Sequence, residues 1–182
     1  MKAVTKVVGK RARIEVPELE LEEKLIKLSR VTKVVKGGKR LRFRALMVVG
    51  DGKRHVGVGI AKAAGVPDAI HKASAAGRKK LIVVPVAGTT IPHEILAKFG
   101  ASKVLLKPAA PGTGIVASNA IRAVLELAGI KDIISKSLGS RNQINVIKAT
   151  MLALSNLRKT GEVETDGGLN LEIQEEDVNE TE

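Results

Sequence analysis

The chain has 182 residues, 44% of them hydrophobic, with a mean hydropathy of +0.07 and a formal net charge of +12. It contains no cysteine, which excludes disulfides, thiolate catalysis and Cys-based metal sites. No apolar run approaches the ~18 residues of a membrane span, and the start lacks a secretory h-region and cleavage site, so a cytoplasmic protein is expected.

The charge is unevenly placed. Residues 1–23 hold five bases and five acids, residues 24–160 hold 26 bases and five acids, and residues 161–182 hold nine acids and no base. A body that cationic repels itself unless a polyanion neutralises it, and nucleic acid is the usual polyanion. An anionic membrane is the weaker candidate, because surface helices need bulky apolar anchors. Phe43 and Phe99 are the only aromatics. A base-stacking platform is therefore excluded, and recognition of structured RNA by backbone and shape is expected.

In chain order, residues 1–22 read as an N-terminal extension. A first unit covers 23–87. KLIKLSRVTKVVK is rich in β-branched residues and reads as one arm of a hairpin. Leu41, Phe43, Ala45, Met47 and Val49 alternate with Arg40, Arg42, Arg44, Leu46 and Val48, the period of a half-buried partner strand. Gly37-Gly38 between them supplies the positive φ of a tight turn. Gly50-Asp51-Gly52 marks a second turn, followed by a strand from Val56 to Ile60. Pro67 suits the first turn of a helix that carries Val66, Ile70, Ala73 and Ala76 at helical spacing. Leu81 to Val84 closes the unit, giving three strands, a helix and a strand.

A second unit covers 88–160. Ile91 to Lys98 and Ser102 to Lys107 read as a strand pair. A helix is expected from about Gly114 with a stop at Gly129, then a strand from Asp132 to Leu138. Ser140 and Gln143 read as the capping box of a last helix that runs to about Lys159. Residues 161–182 read as an acidic, disordered tail. The class is α+β, in two small units that should lean on each other or on a partner.

The main candidate site is the basic hairpin: Lys33, Lys36, Gly37, Gly38, Lys39, Arg40, Arg42 and Arg44. Strand residues two apart share a face, so the three arginines form a row that can follow a phosphate backbone with bidentate guanidinium forks. The bland reading of a charge run is a solvated face, but acids are absent from Lys24 through Gly50. Lys53 and Arg54, and Arg78, Lys79 and Lys80, are further candidate RNA contacts; the second cluster also suits a helix C-terminus. Gly57 and Gly59 leave one strand face bare, for RNA, for another chain, or for packing inside the unit.

Gly112 to Ala117 matches G-x-G-x-x-A and tempts towards dinucleotide binding. Four intervening residues, Pro108 to Pro111, separate it from the preceding strand, and a hairpin leads in where a parallel unit is needed. His55, His71 and His93 are scattered, and the body's acids, Asp51, Asp68, Glu94, Glu126 and Asp132, stand singly. No enzyme, metal, cofactor or small-molecule substrate is expected.

Val35-Lys36-Gly37-Gly38-Lys39, Val48 to Gly52, Gly112 to Ile115, Arg122 to Gly129 and Gly139 to Thr150 together resemble the bacterial-type small-subunit ribosomal protein five family, over about Glu23 to Arg158. The resemblance implies an N-terminal double-stranded-RNA-binding-like domain. It also implies a C-terminal α/β sandwich with a left-handed β-α-β crossover, an exception to the usual hand. It further implies a place on the ribosome, binding 16S-type ribosomal RNA near the head–body junction, with small-subunit proteins four and eight as neighbours and a contribution to translational accuracy. Carried over, the glycine loop from Val35 to Arg40 would lie near the spectinomycin site. Gly114 and Arg122 would face protein four. The rival reading is a free-standing regulator that binds structured RNA.

Overall fold

The computed structural model describes residues 20–158. The acidic tail and nearly all of the N-terminal extension lie outside them. Eleven elements follow in order: β1 Glu22–Val35, β2 Gly38–Gly50, β3 His55–Ala63, α1 Val66–Arg78, β4 Ile82–Val83, β5 Ile95–Phe99, β6 Ser102–Pro108, β7 Ile115–Val116, α2 Asn119–Leu127, β8 Ile133–Ser137 and α3 Gln143–Ser155. They build two four-stranded sheets, ordered β1-β2-β3-β4 and β5-β6-β8-β7. The first is antiparallel throughout. In the second only β7 and β8 run parallel, joined through α2. No helix among the described residues is long and apolar enough to cross a membrane.

The period-two pattern of β2 decides what each side of the first sheet buries. Ala45 and Met47 point to α1, where they meet Ala63, Ala69 and Ala73 in a small cluster edged by Phe43, Ala61 and Ile70. Leu46 and Val48 point the other way, into a larger cluster with Val56, Ile121, Leu125, Ile130, Ile147 and Leu154. One continuous core thus joins the first sheet to α2, α3 and the second sheet. The two units do lean on each other. Complete burial of Leu46 and Val48 contributes roughly 1.5–3 kcal/mol each.

Gly57 and Gly59 have their explanation on the α1 side. A Cβ on Gly59 would stand 1.8 Å from the Ala73 carbonyl oxygen, and one on Gly57 2.4 Å from that of Gly77. The bare strand face is filled by the helix backbone itself. Only glycine permits that approach, and α1 answers with its own small residues, Ala69, Ala73, Ser74 and Gly77.

Several boundaries differ from expectation. The helix expected from Gly114 starts at Asn119, because Ile115 and Val116 form β7, a strand too short to show a period. Its end is as expected, with Gly129 at φ 77° just beyond the cap. The last helix is capped by Asn142, whose side chain accepts from the Ile144 N–H, while Ser140 Oγ accepts from the Asn142 N–H. It ends at Ser155, short of Lys159. The first strand of the second pair begins at Ile95, not Ile91, although Ile91 is buried. On α1 the buried positions are Ala69, Ala73, Ser74 and Gly77, so the predicted stripe through Val66 and Ala76 is rotated towards its small residues.

Exchange of Gly59 for Ala should lower stability in thermal or denaturant unfolding by about 3 kcal/mol, since α1 must lift from β3. Exchange of Gly52 for Ala, where no atom lies within 4 Å but φ is +66°, should cost about 1 kcal/mol of backbone strain.

Candidate nucleic-acid interface

β3 pairs with β2 only from Phe43 to Gly50, so the outer part of the β1–β2 hairpin extends beyond the sheet as a two-stranded arm. Val35 pairs with Gly38, and Lys36 and Gly37 make the connection. Gly37 and Gly38 have φ of 93° and 148°, as the turn was expected to require. Nothing lies within 4 Å of a Cβ at either position, so the tip is open.

Register sets what each face of the arm presents. Lys33 stands opposite Arg40, Val31 opposite Arg42 and Ser29 opposite Arg44. Arg40, Arg42, Arg44 and Lys33 therefore share one face, the same face that carries Leu46 and Val48 into the core further along. Lys39 pairs with Val34 and lies on the other face, with Thr32, Arg30, Leu41 and Leu28. That second face exposes Val34 to 72% and Leu41 to 43%. A two-stranded ribbon with exposed apolar residues and like charges directly opposite each other is marginal in water.

No carboxylate among the described residues relieves the arm. Glu94 pairs with Lys107 at 2.9 Å and Glu126 with Lys24 at 2.6 Å. Asp68 lies in the first turn of α1. Asp51 and Asp132 are committed to backbone, as described below. Glu23 pairs with Arg78 at 2.9 Å and accepts from Ser74 Oγ. Burial pushes the Glu23 carboxyl up, but those two hydrogen bonds outweigh it and hold it below the usual range.

The predicted basic residues fall into two groups. Lys33, Lys36, Gly37, Gly38, Lys39, Arg40, Arg42 and Arg44 form the arm. Lys53 and Arg54 occupy the β2–β3 turn at the far end of β2, roughly 40 Å of strand away. Arg78, Lys79 and Lys80 end α1, at that same far end, because Arg78 reaches Glu23 beside the β2 terminus. All are exposed except Arg44, which is half-buried. The Arg78 guanidinium is held by Glu23, which makes it part of the scaffold as well as a cation. Of the two phenylalanines, Phe43 packs at the edge of the α1 cluster, and the exposed Phe99 ring has Lys148 Nζ 5.0 Å from its centroid.

The far turn is built around Asp51. Its Oδ1 accepts from the N–H groups of Lys53, Arg54 and His55 at 2.8, 3.1 and 2.9 Å, and Oδ2 lies 2.5 Å from His55 Nδ1. Burial acts to raise its pKa. The His55 hydrogen bond and the three backbone donors act against that and win, leaving it at about 2. The turn packs on the end of α2, where Gly52 N–H donates to the Leu127 carbonyl at 3.0 Å.

The G-x-G loop is closed by its own chain. Asp132, buried, accepts from the N–H groups of Gly112 at 3.0 Å and Gly114 at 2.9 Å. The Gly114 amide, then the Thr89 hydroxyl, hold its carboxyl below the usual range. The donors that a dinucleotide would need for its pyrophosphate already bind an internal anion. Arg122 Nη2 donates to the Ile115 carbonyl at 3.3 Å, so Gly114 and Arg122 lie in one patch, beside exposed Val116 and Ile134. Four lysines outside the predicted set, Lys98, Lys103, Lys107 and Lys136, lie on the helix-free face of the second sheet. The alternation Lys103-Val104-Leu105-Leu106-Lys107 carried that signal. No group of His, Asp or Glu among the described residues is arranged to hold a metal.

Comparison with known proteins points to one family. The family model described as ribosomal protein S5, N-terminal domain, matches residues 21–85, and that for the S5 C-terminal domain matches residues 97–166. The chain is 58% identical over 152 residues to a protein of Dehalococcoides mccartyi named small ribosomal subunit protein uS5, covering 84% of this chain and 88% of that one. It is 54% identical over 154 residues to the protein of that name from Chloroflexus aurantiacus, covering 85% and 86%.

The Asp51 carboxyl is depressed in the folded state, so its stabilisation is present above pH ~4 and lost as pH falls towards about 2. Exchange of Asp51 for Asn, which keeps an acceptor but cannot titrate, should remove about 2 kcal/mol from the acid dependence of unfolding over that window. Isothermal calorimetry with NAD should register no binding, because Asp132 occupies the loop amides; measurable affinity would mean that Asp132 gives way.

Proposed function

The chain belongs to the ribosomal protein S5 family, whose members are structural constituents of the small ribosomal subunit and not enzymes, and from that membership we propose that its β1–β2 arm holds a junction of the ribosomal RNA. The observation that carries this reading is Lys33 directly opposite Arg40, with Arg42 and Arg44 in the same row and no acid among the described residues paired with them. Such an arrangement costs free energy in the isolated chain and is relieved when phosphates bind between the cations. The open glycine tip lets backbone approach closely, and shape, not base edges, supplies the specificity.

In this reading 16S-type RNA is the main partner, bound near the junction of head and body in the cytoplasmic ribosome. The units 23–87 and 88–160 act as a double-stranded-RNA-binding-like domain and an α/β sandwich whose β7–α2–β8 crossover is left-handed. Lys53, Arg54, Lys79 and Lys80 give a second phosphate contact at the far end of β2. The patch of Gly114 and Arg122, with Val116 and Ile134, meets small-subunit protein four, and protein eight is a further neighbour. Restraint of the RNA by these contacts contributes to decoding accuracy, and the loop from Val35 to Arg40 lies close to where spectinomycin binds.

Sedimentation decides between a ribosomal component and a free regulator. The protein should follow small subunits through a sucrose gradient at one copy each; a soluble pool with substoichiometric subunits would favour the regulator. Replacement of Arg40, Arg42 and Arg44 together by Ala should flatten the log–log salt dependence of RNA affinity by about 2–3. An unchanged slope removes the arm from the binding surface.

A further inference from the structure

The acids missing from the arm are present elsewhere in the chain. Residues 161–182 contain nine carboxylates and no base, while residues 24–160 hold 26 bases and five acids. From Glu23 onward the described acids are engaged at Lys24, His55, Arg78, Lys107 and the Gly112–Gly114 loop, or stand at the start of α1. Glu20 and Glu22 lie at the root of β1, Glu22 opposite Gly50 at the end of β2 away from the arm. We propose that the acidic C-terminal segment docks in cis on the arginine face of the β1–β2 arm, and that RNA displaces it. The inference rests on the reading of the arm as an RNA surface.

Chain direction favours this occupant. α3 begins at the β5–β6 turn, since a Cβ on Gly100 would lie 3.5 Å from Asn145 Nδ2 and Lys148 lies over Phe99. Its packing against β3 therefore involves its later turns, and Leu154 and Leu157 join the cluster that holds Leu46 and Val48. The chain leaves the described body at Arg158 on the side of the first sheet that also carries Arg40, Arg42 and Arg44. From Leu46 to Arg40 is roughly 20 Å along the strand, whereas residues 159–182 can extend to at most ~80 Å. The segment reaches the arm with length to spare.

Contact, not proximity, is required for an effect. At physiological ionic strength the Debye length is about 8 Å, so carboxylates that stay away from the arm scarcely alter its field. Attachment to the same chain gives the segment an effective concentration on the order of millimolar, so even weak multivalent pairing leaves it docked for much of the time. Folded RNA presents a denser and more rigid array of phosphates and takes its place. Generic duplexes, offering fewer matched contacts, compete less well. The segment thus acts as a counter-anion for the free protein and raises the threshold for RNA binding.

The test uses the full chain without RNA, at roughly 50 mM salt. Zero-length carbodiimide cross-linking, mapped by mass spectrometry, should join carboxylates of residues 161–182 to Lys33, on the arginine face, at least several-fold more often than to Lys39 on the opposite face or to Lys98, Lys103 and Lys136. A structured RNA should abolish those links. A full-length variant with all nine carboxylates exchanged for amides, Glu→Gln and Asp→Asn, should bind a generic RNA duplex on the order of tenfold more tightly at low salt, with the gain vanishing at high salt. Cross-links spread evenly over the lysines, links found only between two copies, or unchanged duplex affinity would each overturn the proposal. If the arginine triple variant flattens the salt slope while the cross-links are absent, the docking fails and the RNA reading stands. If the slope is unchanged, it is the RNA reading that fails.

Discussion

Burial of Leu46 and Val48 is the constraint on which the rest depends. These side chains alternate in register with Arg40, Arg42 and Arg44 on the same face of β2, so the core that receives the first pair fixes where the arginines point. A one-residue slip would send Leu46 and Val48 into the α1 interface and turn the cationic row to the opposite side. Contact with α2 on one side, and with α1 on the other, holds the inner half of the strand. The outer half projects from that clamp. The arm is aimed by apolar packing while its own pairing contributes little stability.

The close seating of α1 serves the same end. Glycines on β3 and small residues on the helix bring two backbones into direct contact, leaving no room for α1 to rotate or slide. The Ser74–Glu23–Arg78 network then ties the helix to the root of β1, and Asp51 ties the β2–β3 turn to itself and, through Gly52, to α2. A rigid root is what lets a thin two-stranded ribbon hold a defined orientation. The tip itself, at Gly37 and Gly38, is open to solvent, with nothing within 4 Å of a Cβ at either position.

Electrostatically the body is arranged by where its few acids go. Asp51 and Asp132 neutralise backbone N–H groups, Glu94 and Glu126 each take a lysine, and Asp68 sits at a helix start. Every one of them answers a structural demand away from the arm. The cations of Lys33, Arg40, Arg42 and Arg44 are left with like-charged neighbours, an arrangement suited to a protein that completes its charge balance inside a ribonucleoprotein. The pairing of Asp132 with Gly112 and Gly114 also explains how a chain can carry a nucleotide-like glycine motif without the chemistry attached to it.

Local signals in the sequence were enough for the element types, the hairpin turn at Gly37-Gly38, the helix stop at Gly129, the cationic row and the family. Each depends on neighbours a few residues apart, where alternation, glycine φ and charge spacing act directly. The start of α2, the bounds of α3 and the existence of β7 were not legible, because a two-residue strand has no period and a cap is chosen by competition among Ser140, Asn142 and Gln143. The role of Gly57 and Gly59, the grouping of Arg78 with Lys53 at the far end of β2, and the closure of the glycine loop by Asp132 were decided only by the tertiary structure. Those outcomes join residues about 14 to 55 positions apart. Periodicity cannot encode them, since which surfaces meet is settled by the packing of whole elements around a shared core.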